Sequence, residues 1–262
     1  MKRLHRISAL SLVFILLWTS CSKDDKVDPG TAPEIPPVST MVMDFSNFQN
    51  DNGGRTATML NWAQAALVAG VWNAVIAVNL AVPVAAFNAS IHQTPTYDQD
   101  NKVWVWKFDY DFAGVTYTAE LNGALITDGV DWKMYISREN GFQHFLWYSG
   151  QMNTGGTSGY WELNFSPENN VKYLHIDWEK TGDGVGDIKY TNVNSGSDSN
   201  GSYIEYGNNA DGDFDAFYNL YSAPDNSSIK IEWNTTTKAG HIQINDGPFK
   251  CWDENLQDIT CG

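Results

Sequence analysis

The chain has 262 residues, enough for one sizeable domain, and carries a formal net charge of −15 at pH 7. So acidic a surface repels phosphate backbones and offers no polybasic patch to anionic lipid, which excludes nucleic acid as a partner. Hydrophobic residues at 42% and aromatic ones at 13% still supply a full core.

The N-terminus has three zones. Lys2, Arg3, His5 and Arg6 form a basic head, Leu10 to Trp18 an apolar run broken only by Ser11, and Thr19 and Ser20 are small residues before Cys21. That order is the secretory pattern, with an apolar run too short to span a bilayer, so residues 1–20 are expected to be a signal peptide. Leu17-Trp18-Thr19-Ser20-Cys21 resembles a lipobox, in which the Cys receives a diacylglyceryl group and becomes the first residue of the mature chain; Trp18 departs from the small aliphatic or Leu residue usual there. The alternative is an ordinary signal peptide with an incidental Cys21. Ser22-Lys23-Asp24-Asp25-Lys26 resembles the short acidic export signal of surface lipoproteins in the Bacteroidota.

These resemblances imply an outer-membrane address, surface-exposed or on the periplasmic face, with attachment through acyl chains, palmitate among them, on Cys21. A single acyl chain binds weakly, and lipoproteins of this type usually carry three. Removal of residues 1–20 leaves 13 basic against 31 acidic side chains, a net charge of −18. Residues 21–40 contain Pro29, Gly30, Pro33, Pro36 and Pro37 and few apolar side chains, as a flexible tether does. Residues 41–262 are then expected to form one domain.

Between Arg55 and Asp98 there is no Lys, Arg, Asp or Glu, and Ala65 to Phe87 is apolar apart from Asn73 and Asn79. Length and Ala content predict helix within about 56–90, capped by Thr56 or Thr58 and ended or kinked by Pro83. A helix apolar on all sides needs burial on all sides, either in a bilayer or inside a curved sheet.

From Lys102 onward the period changes to two. Trp104, Trp106, Phe108, Tyr110 and Phe112 alternate with Lys107, Asp109 and Asp111, and the same alternation recurs around Tyr117, Met134, Ile176, Ile231 and Ile242. Such segments are strands with one wet face. Asp128-Gly129, Asn140-Gly141, Asn200-Gly201, Asp211-Gly212 and Asp246-Gly247 are hairpin turn signals between them. The fold predicted is mainly β: an antiparallel meander of about 10 to 12 strands over residues 102–262, curved or closed, enclosing the apolar helix. The alternative is a β-sandwich with the helix packed outside. The first arrangement is similar in general shape to periplasmic carriers that hold lipids or lipoproteins in an open barrel with helices inside.

Cys251 and Cys261, ten residues apart in an exported chain, are expected to pair as a disulfide. None of His92, His144, His175 and His241 stands at a metal-ligand spacing from another, although His175 shares a strand face with Asp177. Asn209, Asp211, Asp213 and Asp215 alternate through a turn as the oxygen ligands of a candidate Ca²⁺ site do, yet the Gly-sixth, Glu-twelfth spacing is absent and a solvated turn competes. No Gly-x-Ser-x-Gly elbow occurs, and Glu162, Asp177, Glu179, Glu205 and Glu232 form no evident catalytic pair.

The chain has 11 Trp, 12 Tyr and 12 Phe, most of them on the buried face. Tyr135, Phe145, Trp147, Phe217 and Tyr221 fall on the other face and are candidate ligand-binding rings. The function expected is a non-catalytic binding or carrier lipoprotein for an apolar or glycan ligand. Alternatives are an accessory subunit bound to another envelope protein and, less favoured, an extracytoplasmic hydrolase.

Overall fold

A computed structural model describes residues 29–49, 58–181, 184–208 and 213–262. The signal-like segment with Cys21, and Asn209 and Asp211 of the acidic turn, lie outside the described residues. Among the described residues one α-helix, α1 (Leu60–Ser90), precedes fourteen strands: β1 (Thr96–Asp98), β2 (Val103–Phe112), β3 (Val115–Ile126), β4 (Gly129–Arg138), β5 (Phe145–Asn153), β6 (Ser158–Asn164) and β7 (Lys172–Thr181), followed by β8 (Gly184–Asn192), β9 (Tyr203–Gly207), β10 (Ala216–Ser222), β11 (Ser227–Trp233), β12 (Gly240–Ile244), β13 (Lys250–Trp252) and β14 (Asp258–Ile259). They form a single antiparallel sheet in which every strand pairs with its neighbours in sequence, an open meander from β1 to β14. The mainly β meander with one apolar helix is thus as expected. Among the described residues there are fourteen strands rather than 10 to 12, the edges are not joined, and no second sheet makes a sandwich.

Laid flat, fourteen strands at ~4.8 Å spacing would span about 60 Å. Yet α1 touches both β2 and β12 to β14, so the sheet curls and the helix bridges its two ends. One device that permits this curl is the pairing of inward Trp with inward Gly. Across β2 to β6 the cross-strand row reads Trp104, Gly123, Trp132, Gly150, Trp161; Gly159 faces Trp178 and Gly240 faces both Trp233 and Trp252. Four of these indoles lie over the space a Cβ would fill: a Cβ on Gly123 would come within 2.8 Å of the Trp132 ring, one on Gly150 within 2.5 Å of Trp161, one on Gly159 within 2.7 Å of Trp178, and one on Gly240 within 2.5 Å of Trp252. Alternating the largest side chain with none keeps the concave face packed without forcing neighbouring strands apart.

The concave face is filled from the N-terminal side as well. Met41, Met43, Phe45 and Phe48 are buried, and Ala32, Ile35 and Val38, within the segment expected to be tether, pack against the core. This strap is pinned by hydrogen bonds to three strands. The Trp161 indole N–H donates to Thr40 Oγ1 at 3.2 Å, the Tyr190 hydroxyl donates to Met41 O at 2.8 Å and accepts from Met43 N–H at 2.8 Å, and the Tyr218 hydroxyl donates to Asp44 O. Phe48 meets Trp233 edge to face at 4.9 Å.

The helix ends at Ser90, within the expected segment, and Pro83 lies inside it without ending it. It departs from expectation in two ways. It starts at Leu60 without a side-chain cap of its own, because Asp258 of β14 accepts from the Leu60 and Asn61 N–H groups instead; of the two expected caps, Thr56 lies outside the described residues. It is packed against the sheet rather than enclosed: Trp62, Ala65, Ala69, Ile76, Leu80 and Phe87 are buried, while Leu67, Val71, Val75 and Val78 on the other side are exposed. Cys251 and Cys261 lie at disulfide distance, with Cα atoms 5.3 Å apart, closing the loop that holds Asp258.

Candidate binding surface

Because inward positions are occupied by apolar side chains, the polar chemistry of the sheet is displayed on its outward face. Register, not sequence proximity, assembles it. Across β6 to β9 one outward row reads Tyr160, Asp177, Lys189, Glu205, each residue directly opposite the next. The neighbouring row reads Glu162, His175, Thr191, Tyr203 and Tyr221. An open groove of about 420 Å³ follows the first row, lined by Tyr160, Asp177, Glu179, Asp187, Lys189 and Glu205 among others.

Local contacts hold these groups in place. His175 Nε2 lies 3.0 Å from Asp177 Oδ1, its Nδ1 lies 4.0 Å from Glu162 Oε1, and its ring stacks on Tyr160 with centroids 5.3 Å apart. Glu162 also receives the Lys172 ammonium at 2.8 Å. Lys189 Nζ sits 4.1 Å over the Tyr203 ring, a cation–π contact, and Tyr203 in turn packs on Tyr221 at 5.8 Å. Burial first, and then the negative charges of Glu162 and Asp131, push the Tyr160 phenol above its ordinary range, opposed by Lys172. Tyr160 is therefore a neutral hydroxyl near pH 7. The groove alternates acceptors, an ammonium, a hydroxyl and flat ring faces.

The sequence-derived candidates are spread over several places. Tyr221 joins the Tyr203 ring beside the groove. Tyr135 is outward on β4 but separate, stacked on His144 at 4.2 Å. Phe217 is outward on β10, opposite Gly207 and Glu232. Phe145 and Trp147 belong to the core side: the register shifts between Met134 and Tyr135, Phe145 then faces the buried Ile136, and Trp147 is buried with Phe142 and Phe145 around it. An extra residue in one strand flips the pleat, which period-two reading cannot foresee. In the acidic turn, Asp215 is committed to Thr235, accepting from its N–H at 2.6 Å and its hydroxyl at 2.7 Å. Burial works to raise that carboxyl, but these two bonds, with the Asp215 N–H and the Lys238 charge, together hold the pKa below the usual value. Asp213 is exposed, and among the described residues no group of three or more His, Cys, Asp or Glu is set to hold a metal.

One polar pair escaped the sequence reading. His241 Nε2 lies 2.7 Å from Glu232 Oε2, each side chain only 14% exposed, with the Phe249 ring 4.2 Å and the Phe214 ring 4.6 Å from the imidazole. Alternation does place both residues outward, but only the β11–β12 register makes them partners. No protein-family model matches the chain, and neither a curated protein nor a solved structure matches it.

Proposed function

We propose that this chain is a lipid-anchored protein of the bacterial envelope that binds a neutral glycan on the outward face of its sheet without transforming it. The observation that carries the reading is the groove over β6 to β9, where Tyr160, Asp177, Lys189 and Glu205 stand in one row beside the Tyr203 ring. Pyranose rings present hydroxyls to such an alternation of donors and acceptors, and apolar C–H faces to flat aromatic rings. The strap and α1 occupy the concave side, which favours a ligand held outside over one carried within. The net charge of −18 expected for the mature chain disfavours a polyanionic glycan. The order of basic head, apolar run and Cys21 supports the envelope address.

The test is calorimetric titration of the detergent-solubilised full chain with neutral hexasaccharides: cellohexaose, xylohexaose and mannohexaose. Binding to at least one is expected, weakened tenfold or more by Tyr160→Ala and by Lys189→Ala with the circular dichroism spectrum unchanged. No binding to the whole panel, or binding that survives both substitutions, overturns the reading. A second reading, an accessory subunit of an outer-membrane complex, is favoured by the same filled interior. It is distinguished by a defined envelope protein recovered after cross-linking in intact cells.

A further inference from the structure

The side of α1 turned away from the sheet is a surface of a different kind from the groove. Leu67, Val71, Val75 and Val78 are 60%, 55%, 41% and 78% exposed, and their spacing at helical period sets them in one stripe, with exposed Gly70 and Ala74 between them. The stripe continues onto the strap through exposed Val42, which with Ile76, Ala77 and Leu80 lines an apolar groove of about 230 Å³. No Lys, Arg, Asp or Glu lies between Arg55 and Asp98, so nothing charged on the helix has to leave water when this face is covered. The largest apolar patch on a monomer is often a functional surface.

We propose that this face of α1 lies on the lipid bilayer, with the helix axis in the membrane plane and the groove of β6 to β9 turned away from it. The proposal rests on the lipoprotein reading of Cys21. Three observations favour lipid over another occupant. The first is size: the exposed stripe amounts to on the order of 400 Å², about half of the roughly 800 Å² per partner that a stable protein interface buries. A lipid surface needs no such minimum when a second attachment holds the protein in place. The second is tether length. Pro29, where the described chain begins, is only eight residues from Cys21, a reach of at most about 28 Å. That keeps the helix at high effective concentration over the bilayer, so weak adsorption suffices.

The third is the position of α1. It bridges β2 and β12 to β14 at the ends of the curled sheet, and the strands of the groove form the sheet's middle. Seating the helix on the membrane therefore presents the groove outward. The helix does not span the bilayer in this arrangement, because its other face is committed to the core through Trp62, Ala69, Leu80 and Phe87. Without flanking Lys or Arg on the helix, adsorption is apolar, gains nothing from anionic lipid and on zwitterionic lipid is indifferent to salt.

The full chain, produced with its own signal and reconstituted in phosphatidylcholine vesicles, tests this when it carries an environment-sensitive dye at Val78→Cys or, for comparison, at Asp177→Cys in the groove. Doxyl-labelled phosphatidylcholine is expected to quench the Val78 dye several-fold more than the Asp177 dye, equally in low and high salt. Flotation with vesicles reads the anchor separately. If the chain floats and the two dyes are quenched alike, the membrane-facing helix is overturned while the anchor stands. If the chain does not float, both are overturned. A Val78 dye that is shielded but unquenched, together with cross-linked dimers, makes a second copy the occupant and also overturns the proposal.

Discussion

The backbone N–H of Asn61 donates to the Asp258 carboxylate at 2.8 Å, so the first turn of α1 is capped by a residue from the last strand of the sheet. The Leu60 N–H donates to the other oxygen at 3.2 Å, and Asp258 N–H returns a bond to Thr58 O at 2.7 Å. A carboxylate at a helix N-terminus satisfies otherwise open donors and complements the helix dipole. Asp258→Ala is expected to destabilise the protein by about 1 kcal/mol and Asp258→Asn by less. Urea denaturation checks the magnitude, and hydrogen exchange confined to residues 60–64 checks the location.

The bridge between Cys251 and Cys261 closes the loop that carries this cap. Reduction is expected to cost roughly 3 kcal/mol in the chain-entropy picture. It should also accelerate exchange at the start of α1. A melting temperature unchanged by reductant would contradict the assignment.

Gly150 lies opposite Trp132 on one side and Trp161 on the other, and a Cβ there would sit 2.2 Å from the Tyr160 carbonyl oxygen. The backbone cannot yield without loss of ladder pairing. Gly150→Ala should therefore cost about 2 kcal/mol or more, an overpacking penalty. The expected signature is a lowered denaturation midpoint with altered near-ultraviolet circular dichroism of the Trp residues.

Tyr190 binds the strap twice, through Met41 O and Met43 N–H. Tyr190→Phe leaves both backbone groups buried without a partner, at about 2 kcal/mol. Faster exchange across residues 41–45, with the strands unaffected, would show that the strap detaches first.

The fold should fail in alkali. Burial pushes the Tyr190 phenol well up, only partly opposed by the Met43 N–H; burial does the same for Tyr218, reinforced by Asp44 and Tyr206. Unfolded phenols ionise near pH 10. The folded protein keeps its protons longer, so this stability is complete below about pH 10 and is lost as pH climbs from there toward the raised folded values. Tyrosinate absorbance and loss of circular dichroism should change together. Tyr190 and Tyr218 ionising while the fold persists would refute this burial argument.

Much of the architecture was legible from local pattern. Alternation in segments such as Leu174, Ile176 and Trp178 announces strands, and Asn-Gly and Asp-Gly pairs announce the turns, because each depends on a few adjacent residues. The uncharged stretch around Ala65 to Phe87 announces the helix for the same reason. The strap was not legible: Met41, Met43, Phe45 and Phe48 are too few to show a period, and their burial depends on rings from β6, β8, β10 and β11. Phe145 and Trp147 were misplaced because a bulge shifts the pleat. The groove residues were individually visible as outward polar positions, but nothing in the linear order sets Tyr160, Lys189 and Glu205 side by side.

Sequence by itself determined the period of each segment, the pairing of Cys251 with Cys261 and the absence of charge from α1, since all three are set within short stretches. Only the tertiary structure decided that Asp258 caps a helix 198 residues earlier in the chain, that Tyr190 holds a strap 149 residues away, and that half of α1 faces outward. These depend on strand register and on the curl of the sheet. Register is chosen by the summed packing of fourteen strands, so no single segment encodes it.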